Sequence, residues 1–189
     1  MTESARFEFI STQLAGLIVL KRKPIGDERG FFERLFCQEE LYEAGLVKPI
    51  VQVNRSLTRN KGTVRGMHFQ YPPHAEVKIV SCLKGEIFDV AVDIRSGSAT
   101  FLRWHGEVLS AENSKSLLIP EGFAHGFQTL SDECELLYFH TAPYAPESEG
   151  ALNPVDPRVG ITWPRAIAEM SDRDRLHPLV GKDFTGVLV

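Results

Sequence analysis

Residues 63–70 read Thr-Val-Arg-Gly-Met-His-Phe-Gln, placing a guanidinium, a glycine and an imidazole within one β-forming octet. Side chains alternate along a strand, so Arg65 and His68, three positions apart, belong to opposite faces of a regular one. A glycine inside a strand often marks a bulge, and a bulge at Gly66 would turn both side chains toward one cavity. An imidazole titrates near ~6.5 when unperturbed, which suits proton transfer at neutral pH, and a cation beside it suits an anionic substrate. Taken alone, the octet fits a surface arginine and a core histidine equally well. The rest of the chain decides between them.

The elements that would hold these residues are short and β-patterned. Strands are predicted over 17–23, 30–36, 52–58, 63–70, 78–83, 86–95, 100–109, 116–119, 124–130 and 135–141. Turn signals such as Gly-Asp-Glu-Arg-Gly, Arg-Asn-Lys-Gly, Tyr-Pro-Pro-His and Arg-Ser-Gly-Ser separate them. Alternation is clearest over 86–95, where Phe88, Val90, Val92 and Ile94 share one face and Asp89, Ala91 and Asp93 the other. An acid on the second face of a strand usually meets solvent; in a barrel it lines a polar cavity. Helix signal is confined to 38–44 and a weaker turn at 165–170. Many short strands at regular spacing predict an all-β fold, an antiparallel jelly-roll barrel with one or two short helices. The Pro-rich stretch from 142 onward is expected to wrap it.

Composition is that of an ordinary globular protein, and residues 1–189 are expected to form one domain. A formal charge of -4 argues against a nucleic-acid or anionic-membrane surface. Cys37, Cys82 and Cys134 are scattered without a CxxC pair and are expected to be reduced thiols. The start, Met-Thr-Glu-Ser-Ala-Arg-Phe-Glu, lacks the basic-then-apolar layout of a signal peptide, and the apolar run 14–20 is far below the ~20 residues that span a bilayer. A cytoplasmic protein is expected.

Taken in order, several motifs resemble the dTDP-4-dehydrorhamnose 3,5-epimerase family, a cupin-like jelly roll. They are Asp27-Glu-Arg-Gly-Phe-Phe-Glu33, Gln52-Val-Asn54, Val64-Arg-Gly-Met-His-Phe-Gln70, Phe88-Asp-Val-Ala-Val-Asp-Ile-Arg95 and Pro120-Glu-Gly-Phe-Ala-His-Gly-Phe127. Tyr138, Tyr144-Ala-Pro, Val155-Asp-Pro with Trp163-Pro, and Ser171-Asp-Arg-Asp174 complete the set. The resemblance implies epimerisation at C3, C5 or both of a nucleotide-diphospho 4-keto-6-deoxy sugar through an enolate, with no redox cofactor or metal. It makes His68 the base, Asp174 its orienting partner, Lys78 the cation for the C4 oxygen and Tyr138 the acid on the opposite ring face. Arg29, Arg65 and His125 would neutralise the diphosphate. Gln52, Asn54, Glu33 and Glu149 would contact nucleotide and sugar, with Tyr144 stacked on the base and Asp89 in the cavity floor. It further implies a homodimer in which the segment carrying Arg29 and Glu33 completes the neighbouring protomer's site.

Departures and rivals sharpen this reading. Glu76 stands where the family usually carries glutamine two positions before the lysine, adding an acid beside Lys78; Ala99 stands where proline is common. A single-carbon epimerase or a 3,4-ketoisomerase keeps the fold and changes the reaction. A metal-dependent cupin would draw on His68, His74, Glu76 and His125, although the His-x-His pair of such a site is missing. A non-catalytic nucleotide-sugar binding module would leave base, acid and enolate cation without use.

Overall fold

The structure, a computed structural model, describes residues 5–189. Its strands are β1 (Phe7–Ser11), β2 (Ile18–Arg22), β3 (Ile25–Asp27), β4 (Gly30–Phe32), β5 (Gln52–Thr58), β6 (Thr63–Gln70) and β7 (Lys78–Lys84). Then follow β8 (Glu86–Asp93), β9 (Trp104–Ser110), β10 (Lys115–Ile119), β11 (Phe123–Thr129), β12 (Cys134–His140), β13 (Glu149–Ala151) and β14 (Glu169–Met170). The helices are α1 (Gln38–Tyr42) and α2 (Asp172–Arg175). One sheet runs β1-β2-β10-β7-β12-β5; the other runs β13-β6-β11-β8-β9, with β14 added alongside β6. Every pairing between these strands is antiparallel except that of β14 with β6. β3 and β4 form a separate hairpin.

Three apolar clusters hold the layers. Val19, Val80, Ile87, Ala91, Leu117, Phe127 and Leu136 fill the space between the two sheets. Val90, Val92 and Ile94, on the other face of β8, pack under Leu152, Val159 and Val187 from the C-terminal stretch, which wraps the barrel as expected. Leu41 of α1 and Leu46 pack with Phe7, Phe9 and Phe139 on the outside of the β7–β12 sheet. Burial at ~25 cal/mol per Å² of apolar surface makes these clusters the main source of stability. Because β8 is covered on both faces, its alternation separates two cores rather than core from water.

The expected strands recur, with β5 and β6 at the predicted bounds. The segment at 30–36 pairs only over Gly30–Phe32, and the helix at 38–44 is regular only to Tyr42. The weak turn at 165–170 is not helical. Glu169 and Met170 pair with Thr63 and Val64, and the helix begins beyond them. Its N-cap Ser171 accepts a hydrogen bond from the Asp174 amide at 3.1 Å, an arrangement read more readily in three dimensions than in a run of charges.

Candidate active site

The bulge expected at Gly66 is present. His125 lies opposite His68 and Phe127 opposite Arg65, so β6 spends three residues where β11 spends two. Gly66 takes φ +130°, and a Cβ there would come within 2.4 Å of the Gly126 Cα. Only a residue without a side chain allows this conformation and this approach. The extra residue returns Arg65 and His68 to one face, and both line the same chamber.

That chamber, about 230 Å³, adjoins a second of about 160 Å³, and Asn54, His68, Lys78 and His140 border both. Arg55, Ser56, Arg65, His125, Phe127 and Tyr138 complete the inner one; Gln52, Phe69, Gln70, Glu76, Tyr144 and Glu149 complete the outer one. β5 contributes Gln52, Asn54 and Ser56 and β12 contributes Tyr138 and His140, alternate positions that share a face, while β7 contributes Lys78. In register, Tyr138 stands opposite Asn54 and His140 opposite both Gln52 and Lys78.

His68 Nε2 meets Asp174 Oδ1 at 2.8 Å, and Asp174 Oδ2 accepts the Gly66 amide at 3.3 Å. Burial pushes the Asp174 carboxyl up, but the bond and charge of His68, the Gly66 N–H and Ser171 together hold it below the ordinary aspartate value. The carboxylate therefore fixes the tautomer with hydrogen on Nε2 and leaves Nδ1 as the basic nitrogen, without a protein partner among the described residues. On the facing sheet, the Tyr138 hydroxyl lies 3.0 Å from Ser56 Oγ. Burial pushes this phenol up to about 12, against the opposing Ser56 bond, so it stays loaded with its proton.

Lys78 Nζ lies 3.1 Å from Glu76 Oε1, and Glu76 Oε2 lies 2.8 Å from His140 Nδ1. His125 is buried and takes Asp89 Oδ1 at 2.7 Å. Expected at the diphosphate, it lines the same chamber as Arg65, its ring edge-on to Tyr138 at 6.4 Å. Arg65 occupies an exposed position on β6, and its guanidinium donates to Thr58 Oγ1 at 3.3 Å. In the outer chamber Gln52 Oε1 accepts the Tyr144 amide at 3.0 Å, and the Tyr144 hydroxyl donates to Glu149 at 2.9 Å. Arg173 pairs with Glu149 at 2.6 Å, so an arginine that sequence reasoning passed over anchors this wall.

Arg29 and Glu33 lie elsewhere within the chain. Arg29 is on the β3–β4 hairpin against Asp27, and Glu33 pairs with buried Arg22 at 3.0 Å. His74 turns outward, 3.9 Å from Glu147, rather than joining His68 and Glu76 as a ligand set. Cys82 and Cys134 are buried free thiols and Cys37 is half-buried, with burial pushing Cys82 up to about 12. Ser56 and His140 were legible by position, two residues beyond Asn54 and Tyr138 on strands whose faces those residues define. No helix among the described residues is long and apolar enough to cross a membrane.

A jelly-roll barrel whose cavity gathers a histidine–carboxylate pair, a tyrosine and a lysine holds the groups of an isomerase working by proton transfer on one substrate carbon skeleton. The family model for dTDP-4-dehydrorhamnose 3,5-epimerase matches residues 11–182, and the chain belongs to that family. It is 46% identical to the dTDP-4-dehydrorhamnose 3,5-epimerase of Salmonella typhimurium over 173 residues, 90% of this chain and 94% of that one. The crystal structure of the Bacillus anthracis enzyme with TDP and PPi bound superposes with a TM-score of 0.89 at 37% identity, covering 92% of this chain and 99% of that one. The Legionella pneumophila enzyme in complex with dTDP-4-keto-L-rhamnose gives 0.87 at 42% identity, covering 92% of each chain.

Proposed function

We propose that the protein epimerises C3 and C5 of a dTDP-linked 4-keto-6-deoxy sugar, taking dTDP-4-dehydro-6-deoxyglucose to dTDP-4-dehydrorhamnose without a cofactor. The observation that carries this is the placement of His68–Asp174 and Tyr138 on facing sheets of one cavity, with Lys78 on its wall. His68 Nδ1 removes a proton from the carbon beside the ketone. The C–H electron pair moves into the ring, and charge builds on the C4 oxygen, where the Lys78 ammonium stabilises it. Tyr138 then gives its hydroxyl proton to the carbanionic carbon from the other side of the ring, inverting it. Exchange with solvent returns a proton to the tyrosinate and removes one from the imidazolium. A small reorientation of the sugar presents the second carbon to the same groups.

Arg65 meets the diphosphate, for which a guanidinium fork is well shaped. Gln52, Asn54, Tyr144 and Glu149 bind nucleotide and sugar from the outer chamber, and His125 with Asp89 supports the floor. The protein acts as a homodimer, residues 1–189 forming one domain per protomer. β5 is the edge of its sheet and exposes Val53 and Leu57, while the β3–β4 hairpin exposes Phe31 (72%) and Phe32 (65%). An apolar edge strand and an apolar hairpin both suit pairing with a second copy. Arg29 and Glu33 are then delivered to the neighbour's site. Free thiols fit a reducing, cytoplasmic setting.

The test is turnover in heavy water with a strong chelator present. Deuterium at both C3 and C5 of the product is expected. Label at one carbon makes the protein a mono-epimerase; migration of the carbonyl to C3 makes it a ketoisomerase. Loss of activity to the chelator restores the metal-dependent cupin, and no exchange with any 4-keto sugar ends the enzymatic reading.

A further inference from the structure

The acid at position 76 is not a bystander to Lys78. Its two oxygens are shared between two cavity groups: Oε1 lies 3.1 Å from Lys78 Nζ and Oε2 lies 2.8 Å from His140 Nδ1. The other ring nitrogen, His140 Nε2, faces the Asn54 amide nitrogen at 3.3 Å. Because Asn54 presents N–H there, Nε2 accepts and Nδ1 carries the hydrogen that it donates to Glu76. The lysine, glutamate and histidine side chains are only 13%, 11% and 10% exposed, and all three line the outer chamber. Burial pushes the Glu76 carboxyl up, yet His140 and Lys78 together hold it below the ordinary glutamate value, so it is an anion.

A carboxylate has about four acceptor positions. Lys78 and His140 take one each, and Glu76 lines the outer chamber, so acceptor positions remain for a ligand held there. An ammonium and a carboxylate side by side match an α-hydroxyketone, which offers a carbonyl acceptor and a hydroxyl donor on adjacent carbons. We propose that Glu76 is a specificity-determining residue: its carboxylate accepts the hydroxyl on the carbon next to the ketone while Lys78 donates to the ketone oxygen, and His140 is the positioning residue that holds the carboxylate in place. This rests on the role given above to Lys78. It also explains why a carboxylate beside the enolate cation is tolerated. The His140 N–H shares the negative charge, and an ammonium retains further N–H groups for the ketone. Glutamine would offer Nε2–H to one of its neighbours, either to the ammonium or to the protonated Nδ1, and so could not satisfy both.

The experiment measures deuterium wash-in at C5 of dTDP-4-keto-6-deoxyglucose and of its 3-deoxy analogue, since both sugars can exchange there. A hydrogen bond to a charged group contributes ~1.5–3 kcal/mol, so the wild type should favour the 3-hydroxy sugar in kcat/KM by about 10- to 150-fold. Glu76→Gln should shrink that preference to within about fivefold. His140→Ala should do the same and His140→Gln, which restores a donor to Glu76, should recover it; a purely structural role for His140 would lower both sugars alike. Equal wild-type rates for the two sugars overturn the proposal, and the wild-type comparison needs no variant to fold. An undiminished preference in a folded Glu76→Gln protein overturns it too. Failure of the wild type to exchange either sugar defeats the epimerase reading itself, and this proposal with it.

Discussion

Asp174→Asn isolates what the carboxylate does for the base. In the wild type the 2.8 Å contact from His68 Nε2 to the Asp174 carboxylate is charge-assisted, and it becomes an ion pair when the imidazole takes the substrate proton. A bond to a charged group contributes ~1.5–3 kcal/mol and a neutral one roughly half, so an amide oxygen in the same place forfeits ~1–1.5 kcal/mol, about tenfold in rate. The second loss is one of orientation. Asp174 Oδ2 accepts the Gly66 amide at 3.3 Å, and an Asn that keeps its oxygen toward His68 turns an NH2 on that N–H. Leaving the Gly66 donor unmet costs ~1–3 kcal/mol, so the side chain favours the reversed orientation. Reversed, it donates to Nε2 and forces the hydrogen onto Nδ1, the nitrogen that must act as base. Together the two effects predict a fall of about 10²–10³-fold in kcat. KM should change little, because Asp174 is buried behind the imidazole and does not line the cavity. Proton NMR of C3 and C5 wash-in under saturating substrate reads kcat directly. A rate within about threefold of wild type, or a change confined to KM, refutes the dyad.

Tyr138→Phe should retain proton exchange on the His68 side while completing few inversions, since its acid is gone; equal loss of both would reduce Tyr138 to packing. The same variant tests linkage. A phenol raised from 10.0 to about 12 contributes stability that is fully present below pH ~10 and lost as pH rises through the folded value, so denaturant titrations of wild type and Tyr138→Phe should converge between about pH 10 and 12. Asp174 has the opposite sign. Its lowered carboxyl contributes stability above its unfolded value near 3.8, lost as pH falls through the folded one, so the stability gap between wild type and Asp174→Asn should close in acid. Gly126→Ala places a Cβ 2.5 Å from Met67 Sδ and 2.7 Å from the Arg65 carbonyl, and should lower Tm by several degrees or prevent folding, checked by calorimetry. Mixing inactive His68→Ala and Arg29→Ala proteins after unfolding and refolding together should restore about a quarter of the sites, because one site of each mixed dimer is then intact; no recovery argues against a shared site.

The strands were legible because their signal is local. β5 and β6 carry period-two patterns bounded by turn residues, and the bulge announced itself as a glycine between two chemically useful side chains. The face assignment of β8 was legible too, but its consequence was not: Leu152, Val159 and Val187 cover Val90 and Val92, and the face that carries Ile87, Asp89 and Ala91 is the one turned between the sheets. β1, β3, β13 and β14 escaped detection because they are short, of two to five residues, and form against a partner strand. Asp174 was identified by resemblance, since nothing in a run of alternating charges distinguishes the residue that reaches 108 positions back to Gly66. The ties of Glu76 and His140 depend on two strands meeting in register, which no single segment records.

Charge pairing inside the cavity bears on the quaternary proposal. Lys78 is engaged by Glu76, Arg55 by Glu135 at 2.6 Å, and the Arg173 that approaches the outer wall is engaged by Glu149. Of the three cations lining the chambers, Arg55, Arg65 and Lys78, this leaves Arg65 without a carboxylate partner among the described residues. A diphosphate carries more negative charge than one guanidinium balances, and desolvating the remainder is unfavourable. A cation from outside the chain resolves the conflict. Arg29 is suited to the role: its side chain is 89% exposed, held only by Asp27 two residues away on a projecting hairpin. An exposed pair of that kind contributes little to stability, so releasing it to a neighbour's diphosphate costs little. In the homodimer proposed above, Arg29 from the neighbouring copy supplies the positive charge that Arg65 alone lacks at the phosphate site.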